Sequence, residues 1–336
     1  MKLAGQAIAA LWLLAAIVAP WIAPYPATHQ FRDATYAAPT RVQLSRGSYG
    51  VPVVSFHPVR LVDPLRRTYL EDPSRRVTVH WFARGHLFQP DADDVPLFVL
   101  GADGLGRDVF SRTVISARVS LGLGLIAVAG SLAIGTIVGL VSGYVGGRVD
   151  RVLMRATDLV TILPVLYVLL AVRAALPLVL PHMVTLGLIA TLFTLVGWPF
   201  TARGVRAIVA AERGRAYVSA AEALGASPLR ILRRHLLPAT TRFIETQAAL
   251  LLPMFVIAEA TLSYAGLGLP DDLPGWGTLL QEAGNIGVLS TAPWLLAPAV
   301  ALFSLVLGIN LACERTGALL FLTKQSPTKA LAPEAM

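Results

Sequence analysis

The sequence predicts an all-α membrane protein with six transmembrane helices and a small β-rich insert outside the membrane. Hydrophobic residues make up 55% of the 336 residues, charged residues only 14%, and the mean hydropathy is +0.65. A soluble domain of this length needs far fewer apolar residues to fill one core. The apolar residues also form runs of about 20, the length at which a helix crosses about 30 Å of hydrocarbon.

Six apolar runs have the length of a membrane span. With soft ends, they lie at residues 3–24, 119–143, 159–180, 183–201, 247–267 and 293–313. Pro164, Pro177 and Pro181 interrupt the third and fourth runs, so the boundaries there are the least defined.

The first run begins after Lys2 and could also be a secretory signal. Pro20 and Pro24 stand where the small residues of a cleavage site are expected. We therefore expect residues 1–24 to form an uncleaved anchor helix.

Arginines in the short loops predict the orientation. The loop 203–242 is rich in arginine and holds only two acidic residues, Glu212 and Glu222. Because short basic loops stay in the cytoplasm, this loop and both termini, including the tail 314–336, are expected inside. The segment 25–116 is expected outside, since loops of this length cross largely regardless of charge. Residues 117–313 then form the membrane core.

The net charge of +8 and the pI near 10.0 do not require a nucleic-acid partner. Basic residues at membrane edges set topology and contact anionic lipid headgroups, which accounts for the excess. Cys313 is the only cysteine, so the chain forms no intrachain disulfide.

The segment 25–116 contains short runs in which apolar and polar residues alternate, a pattern typical of strands. The runs are VPVVSFHPVRLV at 51–62, RVTVHWF at 76–82 and PLFVLG at 96–101. His57, His80 and His86 lie in the same segment, but their spacing matches no common metal site, and no metal is expected.

Small residues recur every four positions along the second predicted span. They are Ser131, Gly135, Gly139, Gly143 and Gly147. This spacing puts them on one helix face, where another backbone can approach closely. We expect tight packing against a partner helix, from this chain or another.

The stretch YVSAAEALGASPLRILRRHLLPA at 217–239 predicts two short helices joined by a corner. The first has a stripe at helical spacing, formed by Tyr217, Ala220, Ala221 and Leu224. Gly225 follows where a left-handed cap would end this helix, and Ser227 and Pro228 are an N-cap and a first-turn proline for the next. Pro238 is expected to end the second helix.

A second stripe, Leu229, Leu232 and Leu236, gives the second helix an apolar side. Two other interpretations are a linker lying on the membrane and a DNA-binding helix-turn-helix. Neither accounts for the alanine pair, and attachment to the membrane at both ends leaves little room to reach a DNA groove. We therefore expect a protein-docking hairpin at 213–238.

The segment AEALGASPLRILRRHLLP closely resembles the EAA loop of ABC-importer permease subunits, in particular the second permease of the dipeptide, oligopeptide and nickel uptake group. Further segments resemble this group in the same order, from about residue 98 to 312. They are 100–124, 139–158, 259–280 and 292–302. Several ordered motifs are far more specific than a lone glycine pattern.

The resemblance implies the type I ABC-importer permease fold, in which this loop is a coupling helix docked on an ATPase subunit. It further implies a second homologous permease, two ATP-binding cassette ATPase subunits, an extracytoplasmic substrate-binding protein and the bacterial inner membrane. Ala220, Ala221, Gly225, Leu237 and Pro238 take the motif positions, with Tyr217 and Leu224 beside them. Ser219 replaces the usual first glutamate, and the nearest acidic residue is Glu222.

The sequence itself holds no ATP-binding motif. A phosphate-binding Walker loop needs a lysine after glycine, whereas Lys2, Lys324 and Lys329 follow other residues. No serine elbow, zinc motif or dinucleotide fingerprint is present either, so we expect a non-catalytic subunit without a cofactor of its own. ATP is then used by the partner subunits.

Glu259 lies within the fifth predicted span, where a carboxylate is costly in lipid. It could line the translocation path and hold a positively charged group of the cargo, or it could pair with an arginine such as Arg173. An ion-coupled secondary transporter is the alternative function, but it would need more carboxylates within the spans. Peptides are the group's commonest cargo, and nickel or another small solute remains open.

Overall fold

The computed structural model describes residues 2–46, 52–63, 68–83, 85–92, 94–164, 167–168, 171–172 and 181–322. Most of these residues are helical, and five segments are long and apolar enough to cross a membrane. They are Lys2–Ile22, Val109–Val145, His182–Arg213, Pro228–Tyr264 and Pro293–Cys313. A mostly helical membrane protein was predicted, and this part of the prediction is confirmed.

The helices are α1 (Lys2–Ile22), α2 (Val109–Val145), α3 (Gly147–Ile162), α4 (His182–Arg213), α5 (Ala216–Ala223), α6 (Pro228–Ile231), α7 (Leu237–Tyr264), α8 (Trp276–Ala283), α9 (Ile286–Thr291) and α10 (Ala297–Leu322). A π-helical turn, Leu232–Leu236, joins α6 to α7, and a 3-10 turn, Pro293–Leu296, precedes α10. The third predicted span, 159–180, overlaps the end of α3, and most of its remaining residues lie outside the described part of the chain. The count of six spans therefore stays a prediction.

Helices α2, α4 and α7 form the centre of the bundle. The side chain of Asp108 caps α2 by accepting a hydrogen bond from the Ser111 backbone N–H at 2.8 Å. Between the helices lies an apolar core in which the rings of Phe193 and Phe255 stack with centroids 5.4 Å apart. Helix α1 packs against α2 and α10, where the Trp12 indole N–H donates to the Ser304 hydroxyl at 2.8 Å.

The small-residue face of α2 lies against α4 of the same chain. A methyl group on Gly135 would meet the Trp198 carbonyl oxygen at 2.7 Å, and one on Gly139 would meet that of Ala202 at 2.7 Å. One on Gly143 would meet the Arg206 carbonyl oxygen at 2.8 Å, and the Ser131 hydroxyl donates to the Thr194 carbonyl at 3.3 Å. Both helices therefore advance in steps of four residues along a backbone-to-backbone contact. Gly147 does not belong to this face, contrary to the prediction, because α2 ends at Val145 and Gly147 begins α3.

This contact predicts opposite effects for two alanine substitutions in α2. Gly139→Ala forces the helices apart and should lower the free energy of unfolding by roughly 1–3 kcal/mol. Gly122→Ala adds a methyl group where no neighbouring atom lies within 4 Å, and should raise it by up to about 1 kcal/mol through helix propensity. Thermal unfolding of the two purified variants measures the difference. Equal midpoints would contradict the close approach.

The described residues between α1 and α2 form six short strands. They are β1 (Val42–Arg46), β2 (Pro52–Phe56), β3 (Val59–Asp63), β4 (Thr68–Glu71), β5 (Val77–Trp81) and β6 (Phe88–Pro90). One sheet has the order β1-β2-β5-β6, all antiparallel, and β3 pairs separately with β4. The run 51–62 thus forms two strands, separated at His57 and Pro58, and the run 76–82 forms β5. That this segment lies outside the membrane stays a prediction.

The strand predicted for PLFVLG at 96–101 is wrong. Leu97 and Phe98 are buried, but their backbone N–H groups donate to the Tyr25 hydroxyl at 2.8 Å and the Thr40 hydroxyl at 3.0 Å. The Phe98 carbonyl accepts from the Thr40 N–H at 2.8 Å. Phe98 is buried against the loop after α1, and Leu97 is buried against residues of β2 and β5. No neighbouring strand is needed to satisfy their backbone N–H groups.

Candidate functional site

The predicted corner at Gly225 is present as a complete helix-ending motif. Gly225 has a φ of +79°. Its N–H donates to the Glu222 carbonyl at 2.9 Å, and the Ala226 N–H donates to the Ala221 carbonyl at 3.0 Å. This pair of bonds is the Schellman motif, which requires a left-handed residue at the position of Gly225. The chain thus turns sharply between α5 and α6.

Helix α5 is anchored to α4 by a residue outside the predicted stripe, Val218. Val218 is completely buried, whereas Leu224 is 89% exposed and Tyr217 is 40% exposed. Val218 and Ala221 pack with Val205 of α4 in one apolar cluster. Helix α5 therefore docks on α4 through Val218 and Ala221, and the other residues of the predicted stripe are left exposed.

The second half of the hairpin is held by the same cluster. Ile231 and Leu236 are completely buried against Val205 and Val209 of α4. Leu229, which was predicted to belong to the apolar side, is 60% exposed. In α6, therefore, Leu229 faces outward and Ile231 packs against α4.

Pro238 does not end the second helix, contrary to the prediction. It stands in the first turn of α7, and helical structure continues without a break from Pro228 to Tyr264. A proline ring normally clashes with the carbonyl four residues earlier. The π-helical turn Leu232–Leu236 lies directly before α7 and widens the helix there, which makes room for the ring.

Small and apolar residues are exposed on the outward face of the hairpin. Ala220, Gly225 and Pro238 are exposed beside Leu224 and Leu229. Ser219 and Glu222 are also exposed, whereas Leu237 is half-buried. The Glu222 carboxylate lies 3.4 Å from the Tyr144 hydroxyl of α2, which donates to it. The predicted coupling residues thus lie on one projection, and most of their surface is open to a partner.

An ion pair that was not predicted from the sequence stabilises α4, the helix on which the hairpin packs. Asp150 of α3 accepts two hydrogen bonds from the Arg206 guanidinium of α4 and one from the Ser142 hydroxyl of α2. The hydrogen bonds from Arg206 and Ser142 lower the pKa of Asp150 from 3.8 to about 2, so it stays charged at neutral pH. The sequence does contain a signal for this ion pair, because Asp150 is the only acidic residue in the basic segment 148–155.

The opposite end of the bundle holds a closed ring of four charges, Asp103, Arg107, Asp271 and Arg112. The Arg107 Nε donates to Asp103 at 2.7 Å, and the Arg112 Nη2 donates to Asp271 at 2.8 Å. Arg107 also contacts Asp271, and Arg112 lies 3.5 Å from Asp103. Of the four side chains, only Asp271 is substantially exposed. Because Asp271 lies in the loop after α7 and contacts both arginines, the ring connects this loop to the start of α2.

Asp108, beside this ring, gives a pH prediction. Burial raises the pKa of its carboxyl from 3.8 to about 6, although Ser111 donates two hydrogen bonds to it. Between about pH 4 and pH 6 the folded protein keeps a proton that the unfolded chain has released, so the free energy of unfolding falls as pH rises through this window. Asp108→Asn keeps a capping side chain and should remove roughly 2 kcal/mol of this pH dependence. Unfolding midpoints from pH 4 to pH 7 test it, and an unchanged slope would refute it.

Glu259 is completely buried within this chain. Its carboxylate accepts hydrogen bonds from the Ser120 hydroxyl of α2 at 2.6 Å and the Ser263 hydroxyl of α7 at 2.7 Å. Arg173, the partner that the sequence suggested, lies outside the described residues. The predicted role of Glu259 in the translocation path stays a prediction.

The fold and the hairpin define a helical membrane protein with a docking projection at one end of its bundle. Residues 135–315 match the family described as binding-protein-dependent transport system inner membrane component, and the chain belongs to this family. It is therefore a permease component of an importer that works with a binding protein and an ATPase. The resemblance to ABC-importer permeases, predicted from the EAA-like loop, is confirmed.

The proteins similar to this chain over more than half of its length include three transport permeases. The oligopeptide transport system permease protein OppC of Bacillus subtilis (strain 168) is 36% identical over 211 residues, 62% of this chain and 67% of the relative. The glutathione transport system permease protein GsiD of Pectobacterium atrosepticum is 35% identical over 213 residues, 63% and 68% of the two chains. The dipeptide transport system permease protein DppC of Bacillus subtilis (strain 168) is 39% identical over 196 residues, 58% and 59%.

Proposed function

We propose that the chain is the transmembrane permease subunit of an ATP-driven importer of di- or oligopeptides. It forms the translocation path with a second homologous permease, and two ATPase subunits drive the complex, one of them docked on the hairpin 213–238. A binding protein outside the membrane delivers the cargo. The names of the three relatives support the choice of peptides, since each is a permease for an oligopeptide, a dipeptide or glutathione.

The observation that carries this proposal is the outward face of the hairpin. An exposed leucine pair, Leu224 and Leu229, flanks small residues that permit close approach of another protein. The hairpin also leads directly into α7, so a force applied to it reaches the membrane bundle. Alternating access then follows if the partner shifts the bundle between two arrangements.

The topology belongs to the same proposal. It has six spans including 159–180, both termini and the loop 203–242 in the cytoplasm, and the insert 25–116 outside, where it is placed to contact the binding protein. The arginines of the loop 203–242 support this orientation.

Uptake by the assembled transporter in proteoliposomes tests the function. A labelled dipeptide and a labelled pentapeptide should accumulate only when ATP and the binding protein are both supplied. Collapse of proton and sodium gradients should leave uptake unchanged. Uptake that follows an ion gradient without ATP would instead identify a secondary transporter, and uptake of nickel in place of peptides would reject the cargo.

A further inference from the structure

We propose that Glu259 is a positioning residue that connects the helix leading from the hairpin to helix α8 at the opposite end of the bundle. This inference rests on the proposed function, because it assumes that a partner moves the hairpin and states that this movement is transmitted to α8. It assigns to Glu259 a role other than contact with cargo or pairing with an arginine.

Through Ser120 and Ser263, the hydrogen bonds of Glu259 connect it to the middle of the loop between α7 and α8 and to the first residue of α8. Ser120, which donates to Glu259, accepts from the Trp276 backbone N–H at 3.4 Å. Ser263, the second donor, accepts from the Leu269 backbone N–H at 3.1 Å. One carboxylate and two serines therefore hold both Leu269 and Trp276 in place relative to α2 and α7.

Packing around the carboxylate leaves no space for cargo. A methyl group on Gly275 would lie 2.4 Å from the Glu259 Oε1, so the backbone of the loop covers this oxygen. Trp276 is completely buried next to it, and its indole N–H donates to the Thr113 carbonyl of α2 at 3.0 Å. Trp276 is also the first residue of α8, so the position of this helix depends on the same contacts.

Glu259 lies on the same continuous helical segment as the hairpin. The segment runs from Pro228 to Tyr264, and Glu259 is 22 residues beyond Leu237, which corresponds to about 33 Å along a helix axis. A displacement of the hairpin that tilts or shifts this segment must carry the carboxylate with it or break its bond to Ser120. In either case the loop and α8 respond, because the Trp276 N–H bonds to Ser120 and the Leu269 N–H bonds to Ser263 on the moving segment.

The test measures the accessibility of α8 in the assembled transporter. Thr278 of α8 is replaced by cysteine in a Cys313→Ser background, and labelling by a membrane-impermeant maleimide is compared with and without a non-hydrolysable ATP analogue. Into this background we introduce Glu259→Gln or Ser120→Ala, which alter opposite sides of the same hydrogen bond. Thr261→Ala is the matched control, since its exposed hydroxyl bonds only to the Ile257 carbonyl of its own helix.

The nucleotide-dependent change in labelling should fall by about fivefold in both variants, the effect of weakening one buried hydrogen bond. Peptide uptake per ATP hydrolysed should fall in parallel, with unchanged assembly on size-exclusion chromatography, and Thr261→Ala should retain both. A full labelling change in both variants would overturn the inference. A raised KM for peptide in Glu259→Gln alone, with normal Ser120→Ala, would overturn it in favour of cargo contact.

A comparison with a hairpin variant separates the role of Glu259 from the coupling function of the hairpin. A Gly225→Val variant is assayed in parallel. If it loses coupled uptake while the Glu259 and Ser120 variants behave normally, the hairpin drives transport by another route and only the role of Glu259 is rejected. If it retains full coupled uptake, the proposed coupling function is itself rejected.

Discussion

A transporter carrying Gly225→Val should hydrolyse ATP but import peptide at a rate reduced by about tenfold or more. Gly225 has a φ of +79°, a conformation that costs a residue with a side chain roughly 1–2 kcal/mol and a β-branched residue more. The Schellman bonds at Glu222 and Ala221 depend on this conformation. Without them α5 and α6 lose their relative orientation, and the docking face formed by Leu224 and Leu229 is disrupted.

The cause of this loss is the backbone, since a methyl group on Gly225 would meet no atom of this chain within 4 Å. Gly225→Asn is therefore the matched control, because asparagine adopts positive φ far more readily than valine. It should keep most of the uptake rate. Uptake and ATP hydrolysis are measured on the same proteoliposomes, so that a change in coupling is separated from a change in assembly.

Full coupled uptake by Gly225→Val would refute the assigned geometry. Equal loss in the valine and asparagine variants would also contradict the backbone explanation, since it would show that the partner tolerates no side chain at this position. The predicted order is the natural protein first, asparagine close behind, and valine far below both.

The corner of the hairpin was predictable because its signals are local. Gly225 meets a conformational requirement that few residues satisfy, and Ser227 with Pro228 marks the first turn of the next helix. The small residues of α2 were predictable for the same reason, since a spacing of four residues identifies one face of a helix. In each case the relevant residues are neighbours in the sequence.

The direction in which the hairpin faces was not predictable from its own residues. Both Val218 and Leu224 are apolar, and only the contact with α4 decides that the valine is buried and the leucine exposed. The prediction that Pro238 ends the second helix was also wrong because of the structure around it. A proline normally marks a helix end, and the π-helical turn before it leaves no clear sequence signal.

The polar contacts at the opposite end of the bundle could not be predicted from the sequence, because they join residues that are far apart in the chain. Arg107 and Asp271 are 164 positions apart, and Ser120 and Glu259 are 139 apart. A single sequence holds no pattern that joins residues at such distances. The sequence did show that Glu259 needs an explanation, because a carboxylate within a span must be satisfied by some partner.

The charge ring gives the second large prediction. Asp103→Asn should lower the free energy of unfolding by about 3 kcal/mol, because Asp103 is buried and breaking a buried ion pair leaves its partners uncompensated. Its carboxylate accepts from the Arg107 Nε at 2.7 Å and from the backbone N–H groups of Leu105 and Arg107, each at 2.9 Å. Asparagine keeps the size of the side chain but removes its charge, leaving Arg107 and Arg112 with Asp271 alone.

Two further variants calibrate this effect by exposure. Asp271→Asn should cost less than Asp103→Asn, because the Asp271 side chain is 59% exposed and water screens the lost charge. Asp94→Asn breaks a geometrically similar pair with Arg75 at 2.8 Å, but both side chains are exposed, so no measurable change is expected.

Thermal unfolding of the three purified variants in one detergent measures this order. Equal midpoints for Asp103→Asn and Asp94→Asn would show that the ring does not hold the loop after α7. The loop fixed by this ring is the same one that Glu259 holds from within the bundle, so the end of the bundle opposite the hairpin is secured from two sides. A movement that begins at the hairpin can release the inner attachment at Glu259 while the ring keeps the loop joined to the start of α2.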